Sequence, residues 1–158
     1  MKKIFEGKII VAYERDGWEF VERKSAKEAV AIVAVTNGRL ILTEQYRRPV
    51  DARVIDLPAG LIEEHGPADT AKHELEEETG FRCERVRLLA SGPTSPGITS
   101  EIIHYYRAIN LKRSSKGGGV GDEDIAVHVI ALSNIEKWLK KQRALIDSKV
   151  WAGLYFAT

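Results

Sequence analysis

The sequence predicts an α/β domain. Three observations predict it. The first sixty residues are short runs rich in Val, Ile, Phe and Tyr separated by turn signals; a helical segment with its own start and stop residues follows at about 67–79; and further strand-like runs then lead into two helical segments near the C-terminus.

Lys8 to Tyr13 and Trp18 to Arg23 read as strands, with Asp16-Gly17 and Asn37-Gly38 as tight hairpin turns. Ala29 to Val35 and Leu40 to Leu42 are nearly continuous apolar runs, which suits central strands covered on both faces. Arg53 to Leu57 is a further strand, ended by Pro58-Ala59-Gly60. The helix from Pro67 to Thr79 has proline at its first position, Gly80 just past its end, and Ala68, Ala71 and Leu75 on its apolar face. Strands are expected at Val86 to Ala90, Ile102 to Ala108 and Ile125 to Leu132. Ser133 with Glu136 has the form of a capping box opening a helix over Ile135 to Arg143, and Ser148 to Phe156 reads as a C-terminal helix. Trp138 and Trp151 stand in apolar helical contexts and are expected in the core. Ser114 to Gly121 holds four glycines in five positions and is expected to be a mobile loop.

A chain of 158 residues is one ordinary domain, long enough to bury a core. With 24 basic against 23 acidic residues, it has no overall field for steering polyanions, which argues against a nucleic-acid binder. No run approaches the roughly 20 apolar residues of a membrane span, and the N-terminus lacks the apolar stretch of a signal peptide, so a cytoplasmic location is expected. Cys83 is the single cysteine and has no partner for an intrachain disulfide. His65, His73, His104 and His128 do not share metal-ligand spacing.

The most informative stretch is Glu74-Leu75-Glu76-Glu77-Glu78-Thr79-Gly80, with four glutamates in five positions at the C-terminal end of a helix. Like charges at i,i+4 and i,i+3 repel, and the helix dipole disfavours anions at this end. A helix selected for stability alone would carry lysine there. At about 100° per residue, Glu74, Glu77 and Glu78 share one side, while Ala71 and Leu75 form another and Glu76 points elsewhere beside Lys72. Converging carboxylates suit a hard divalent cation such as Mg²⁺, which takes oxygen ligands and is completed by water and substrate phosphate. The competing reading is a solvated acidic face with basic partners.

Pro58-Ala59-Gly60-Leu61-Ile62-Glu63 followed by His73-Glu74-Leu75-Glu76-Glu77-Glu78-Thr79-Gly80-Phe81 resembles the Nudix box. His73 stands where the family has arginine. The stretch after Gly60 is one residue short, so the first glutamate of the box has no clean counterpart among Glu63, Glu64 and His65. Three further segments resemble the ADP-ribose and nucleoside diphosphate sugar pyrophosphatase branch: Trp18-Glu19-Phe20-Val21-Glu22-Arg23, Glu44-Gln45-Tyr46-Arg47 and Asp122-Glu123-Asp124-Ile125.

The resemblance implies a Nudix α/β/α sandwich with a mixed sheet, formed by a single domain over 1–158. An N-terminal antiparallel sheet within 1–26 would precede it and contribute to a homodimer interface. It implies hydrolysis of the diphosphate bond of ADP-ribose or a similar NDP-sugar to a nucleoside monophosphate and a sugar phosphate, with Mg²⁺ as cofactor and Mn²⁺ as a substitute. Glu74, Glu77 and Glu78, with the backbone carbonyl of Ala59, would hold metal. Glu123 on the acidic loop would be the general base, with Asp122 its rival. Arg47 would pair with phosphate, its planar fork suiting the task. Trp18 would stack on the base, with Glu19 hydrogen bonding and Arg23 reaching base or phosphate, and Glu101 would assist near the sugar or bind metal. The alternatives left open are another diphosphate substrate (GDP-mannose, a dinucleoside polyphosphate, an oxidised nucleotide) and a nucleotide-sensing module without catalysis. Neither nucleic acid nor membrane is expected as a partner.

Overall fold

In the computed structural model, which describes residues 1–62, 64–121 and 123–157, the strand-like runs resolve into two sheets. Strands β1 (Lys2–Glu6), β2 (Ile10–Arg15) and β3 (Trp18–Arg23) form a three-stranded antiparallel sheet in that order. Asp16 and Gly17, with φ of 53° and 83°, make the turn between β2 and β3. β1 is exposed along its whole length.

The second sheet begins with β4 (Glu28–Thr36) and β5 (Arg39–Arg47), joined through Asn37 and Gly38, both at positive φ as a two-residue hairpin requires. It continues with β6 (Ala52–Asp56), the short β7 (Ala59–Leu61) and helix α1 (Pro67–Thr79). There follow β8 (Phe81–Pro93), β9 (Ile102–Arg113), β10 (Ala126–Ala131), α2 (Ile135–Leu139), β11 (Leu145–Ile146) and α3 (Ser148–Ala157). The sheet runs β11-β6-β5-β4-β9-β8, with β10 on β5 and β7 on β4. β4–β9 and β11–β6 are parallel and the other pairs antiparallel, so the sheet is mixed as expected.

β4 explains the layering. Val30, Ile32 and Ala34 face one side and pack with Ile41, Ala71 and Leu75 beneath α1. Ala29, Ala31 and Val33 face the other and pack with Leu40, Leu42, Ile55 and Val150 beneath α2 and α3. A strand buried on both faces reads as an unbroken apolar run, and the helices on either side complete the sandwich. β4 and β5 pair only at Val35–Leu40 and Thr36–Arg39, then part; the start of β4 pairs with β7 while the end of β5 pairs with β6. The parting of these strands opens a cleft.

Four expectations are corrected. β8 is much longer than Val86 to Ala90. α2 is one short helix after a 3₁₀ turn at Leu132–Asn134, with no side-chain cap from Ser133; Lys141 and Gln142 donate to Trp138 and Leu139 in i−3 bonds that end it early. Trp138 packs against the core, but Trp151 is half exposed on the outer face of α3. The glycine segment is docked. Ser114 and Ser115 donate backbone N–H groups to Gly80 O, Gly118 to Glu78 O at 2.8 Å and Gly119 to Glu77 O at 3.2 Å. These carbonyls are orphans of the α1 C-terminus. Gly117, at φ 71°, lies so close to Thr79 that a Cβ would overlap its backbone. At Gly117 and Gly119 the missing side chain serves close approach.

Candidate active site

α1 places the carboxylates. Ala71 and Leu75, fully buried, fix the rotation of the helix and turn Glu74 and Glu78 toward the Pro58–Gly60 turn. Glu78 is 8% exposed, and its Oε2 accepts the Ala59 N–H at 3.0 Å. The Glu74 side chain lies over Gly60 so closely that a Cβ there would overlap its carboxyl group. Glycine is therefore required at 60 for the helix to sit against the turn. Burial, and then the neighbouring charge of Glu74, push Glu78 up to about 8, against the opposing Ala59 hydrogen bond.

Glu77 does not line the cleft. Its carboxylate pairs with His73 Nδ1 at 3.0 Å, one turn back. The expected convergence of three glutamates is thus a convergence of two, with Glu77 on the adjacent side. His73, at the family's arginine position, supplies Glu77 with its partner. Glu76 points away, toward Arg82.

The cleft has a volume of about 1030 Å³ and also takes in Arg23, Arg47, Glu101 and Glu123. Arg23 Nε donates to Glu101 Oε1 at 3.0 Å. Glu123 Oε2 accepts the Val120 N–H at 3.2 Å, which folds the loop tip around the carboxylate. Its rival Asp122 lies outside the described residues, as does Glu63. Trp18 and Glu19 are not brought to the cleft: both are exposed on β3. Trp18 lines a separate hollow of about 400 Å³ with Arg15, Phe20 and the Pro96–Ser100 loop, which Val21 N–H ties to β3 through Ile98 O.

One cluster in the cleft was missed in the sequence. Lys149 Nζ of α3 reaches Asp56 Oδ2 at 3.0 Å and Asp147 Oδ2 at 2.8 Å. Burial pushes Lys149 down, but the two carboxylates outweigh it and hold it above its ordinary value. The one available signal was an aspartate inside the apolar run Val54-Ile55-Asp56-Leu57. No spacing pairs it with a lysine ninety-three positions on.

The lining fits a divalent cation. Among the described residues, seven acidic side chains (Asp56, Glu64, Glu74, Glu78, Glu101, Glu123 and Asp147) face three Lys or Arg side chains, so an added positive charge would ease entry of an anionic ligand. Among the described residues no three His, Cys, Asp or Glu side chains gather tightly enough to ligate one ion alone.

The NUDIX domain family matches residues 26–150. The chain is 38% identical to a methanol dehydrogenase activator of Bacillus methanolicus over 94% of its length and 84% of that protein. It is 35% identical to an ADP-ribose pyrophosphatase of Bacillus subtilis over the same shares. A solved structure of an ADP compounds hydrolase superposes with a TM-score of 0.74 over 98% of this chain and 87% of that one. At 21% identity, this last likeness speaks for the fold alone.

Proposed function

Since the chain belongs to the NUDIX domain family and is a hydrolase of its pyrophosphatase kind, we propose that it hydrolyses the diphosphate bond of ADP-ribose or a similar nucleoside diphosphate sugar in the presence of Mg²⁺. The observation that carries this reading is the meeting of Glu74, the buried Glu78, Arg47 and Glu123 on one cleft. Glu74, Glu78 and the Ala59 backbone would hold the metal, with Glu77 joining if its carboxylate turns from His73. Bound Mg²⁺ would offset diphosphate charge and lower the pKa of a bound water. Glu123 accepts the proton of the attacking water, and Arg47 pairs with the phosphate it reaches across the cleft. Arg23 and Glu101, already paired, orient the nucleoside or sugar end.

Trp18 and Glu19 enter this scheme through a second copy. Ile4 and Phe5 of β1 and Ile9 just before β2 are exposed apolar side chains of the N-terminal sheet, and we propose that this sheet pairs in a homodimer and carries Trp18 to the partner's cleft. The whole chain would otherwise act as one domain. No helix among the described residues is long and apolar enough to cross a membrane.

The test is turnover of ADP-ribose, GDP-mannose and nucleoside triphosphates with Mg²⁺ or Mn²⁺, with products identified by mass. AMP and ribose 5-phosphate are expected from ADP-ribose. A preference for triphosphates, or tight binding without turnover, sinks the proposal. The likeness to the methanol dehydrogenase activator, equal in coverage to that of the pyrophosphatase, favours a second reading in which the protein stimulates a dehydrogenase. Adding it to a methanol dehydrogenase and finding no change in turnover removes that reading.

A further inference from the structure

The loop that carries Glu123 is fastened on both sides. Before it, Gly118 and Gly119 donate to Glu78 O and Glu77 O at the end of α1, so the approach to the loop is bonded to the helix that presents the carboxylates. After it, Arg53 of β6 reaches across. Arg53 Nη1 donates to Asp124 Oδ2 at 2.9 Å and Nη2 to Asp124 O at 3.5 Å. The same guanidinium is held from behind, with Nε donating to Glu44 Oε1 at 2.6 Å and Nη2 to Glu44 O at 3.1 Å. Glu44 Oε2 meets His128 Nε2 at 2.8 Å, and the His128 ring lies 5.0 Å from that of Trp138. The chain of contacts therefore runs from α2 through β10, β5 and β6 to the residue next to Glu123.

The charges in this chain have unequal jobs. Asp124 is highly exposed, so its ion pair with Arg53 adds little to global stability. Glu44 is mostly buried; burial pushes its carboxyl up, but His128 and Arg53 together hold it below the usual range. An arginine locked by a buried carboxylate and spending its remaining donors on an exposed loop spends them on placement. A planar fork can hold Glu44 and Asp124 together in a fixed geometry, which the point charge of lysine cannot.

We propose that Arg53 is a positioning residue that latches the Glu123 loop over the cleft through Asp124, with Glu44 and His128 fixing the latch. The proposal rests on the reading of Glu123 as the base. Small displacements of a catalytic group cost rate more than binding, so the loss belongs in kcat.

The experiment compares Arg53→Gln, Arg53→Lys, Asp124→Asn and Glu123→Gln with the unaltered protein, measuring kcat and KM for ADP-ribose and the Tm. Arg53→Gln and Asp124→Asn are each expected to lower kcat about tenfold or more with KM nearly unchanged; Tm should hold in Asp124→Asn and fall in Arg53→Gln, which takes a partner from the mostly buried Glu44. Arg53→Lys should recover only part of the loss. Combining Arg53→Gln with Asp124→Asn should be no worse than either alone, and adding Arg53→Gln to Glu123→Gln should cost less than twofold, as expected of residues acting through one group. Multiplying losses, or losses in KM and Tm in place of kcat, overturn the latch. A fully active Glu123→Gln overturns the base assignment and the latch with it. A crippled Glu123→Gln beside an unaffected Arg53→Gln overturns the latch alone.

Discussion

Glu78 and Glu123 are carboxylates of one cleft in opposite surroundings. Glu78 sits on a helix, 8% exposed, bonded to the Ala59 N–H and packed above a fully buried Leu75. Glu123 sits on a loop tip and accepts the N–H of Val120, a neighbour in sequence. The first is fixed by the core and the second by loop contacts, which matches the needs of the two tasks proposed for them. A metal ligand has to be held in place before the metal arrives, whereas a base has to meet a water that comes and goes with substrate. The docked glycines join the two, since the carbonyls they cap belong to Glu77 and Glu78.

Neutralising each carboxylate in turn separates the two roles. Glu78→Gln keeps the shape and removes the charge that would face the metal; kcat should fall by about 10³-fold or more, because several kcal/mol of charge stabilisation goes with the ion. Glu77→Gln should cost less, since Glu77 is turned to His73 and away from the cleft. Equal losses for the two would mean that Glu77 swings into the cleft when metal binds. Glu123→Gln should cost roughly 10²-fold in kcat with KM little changed, the usual size for general base catalysis. A larger loss in KM than in kcat would make Glu123 a metal or substrate ligand.

How much of this was legible in the sequence differs between the same two regions. α1 was readable nearly to the residue, because Pro67, Gly80 and the spacing of Ala71 and Leu75 act locally, and the observed helix is Pro67–Thr79. Its cleft-facing side was legible for Glu74 and Glu78 but not for Glu77, whose direction is decided by pairing with His73. The loop is not legible from its own residues. Glycines signal freedom when only the local chain is considered, but Gly117–Gly119 are constrained by the end of α1 some forty residues earlier. The Asp56–Lys149–Asp147 cluster was invisible for the same reason, since it joins β6 to α3 through space. Trp18 opens β3 and within one copy lies at a different hollow, whereas Arg23 at the other end of the same strand lines the cleft.

The smallest effect, and the most diagnostic of Glu78's surroundings, is in stability. Glu78 is raised from 4.5 to about 8 in the folded chain, chiefly by burial. A raised carboxyl binds its proton more tightly when folded than when unfolded, so its contribution is fully present below pH 4.5 and is lost as pH rises through about 8. In EDTA the Tm should therefore fall between roughly pH 5 and pH 8.5, by about 10 °C for a loss of several kcal/mol in a domain of this size. Glu78→Gln should flatten that slope. Saturating Mg²⁺ should reverse it, because the ion binds the ionised carboxylate of the folded state, and its stabilisation should grow with pH over the same window. A Tm independent of pH in EDTA would place Glu78 in contact with solvent and remove the contrast with Glu123. A pH-dependent Tm that Mg²⁺ leaves untouched would keep the buried carboxyl but deny it the metal.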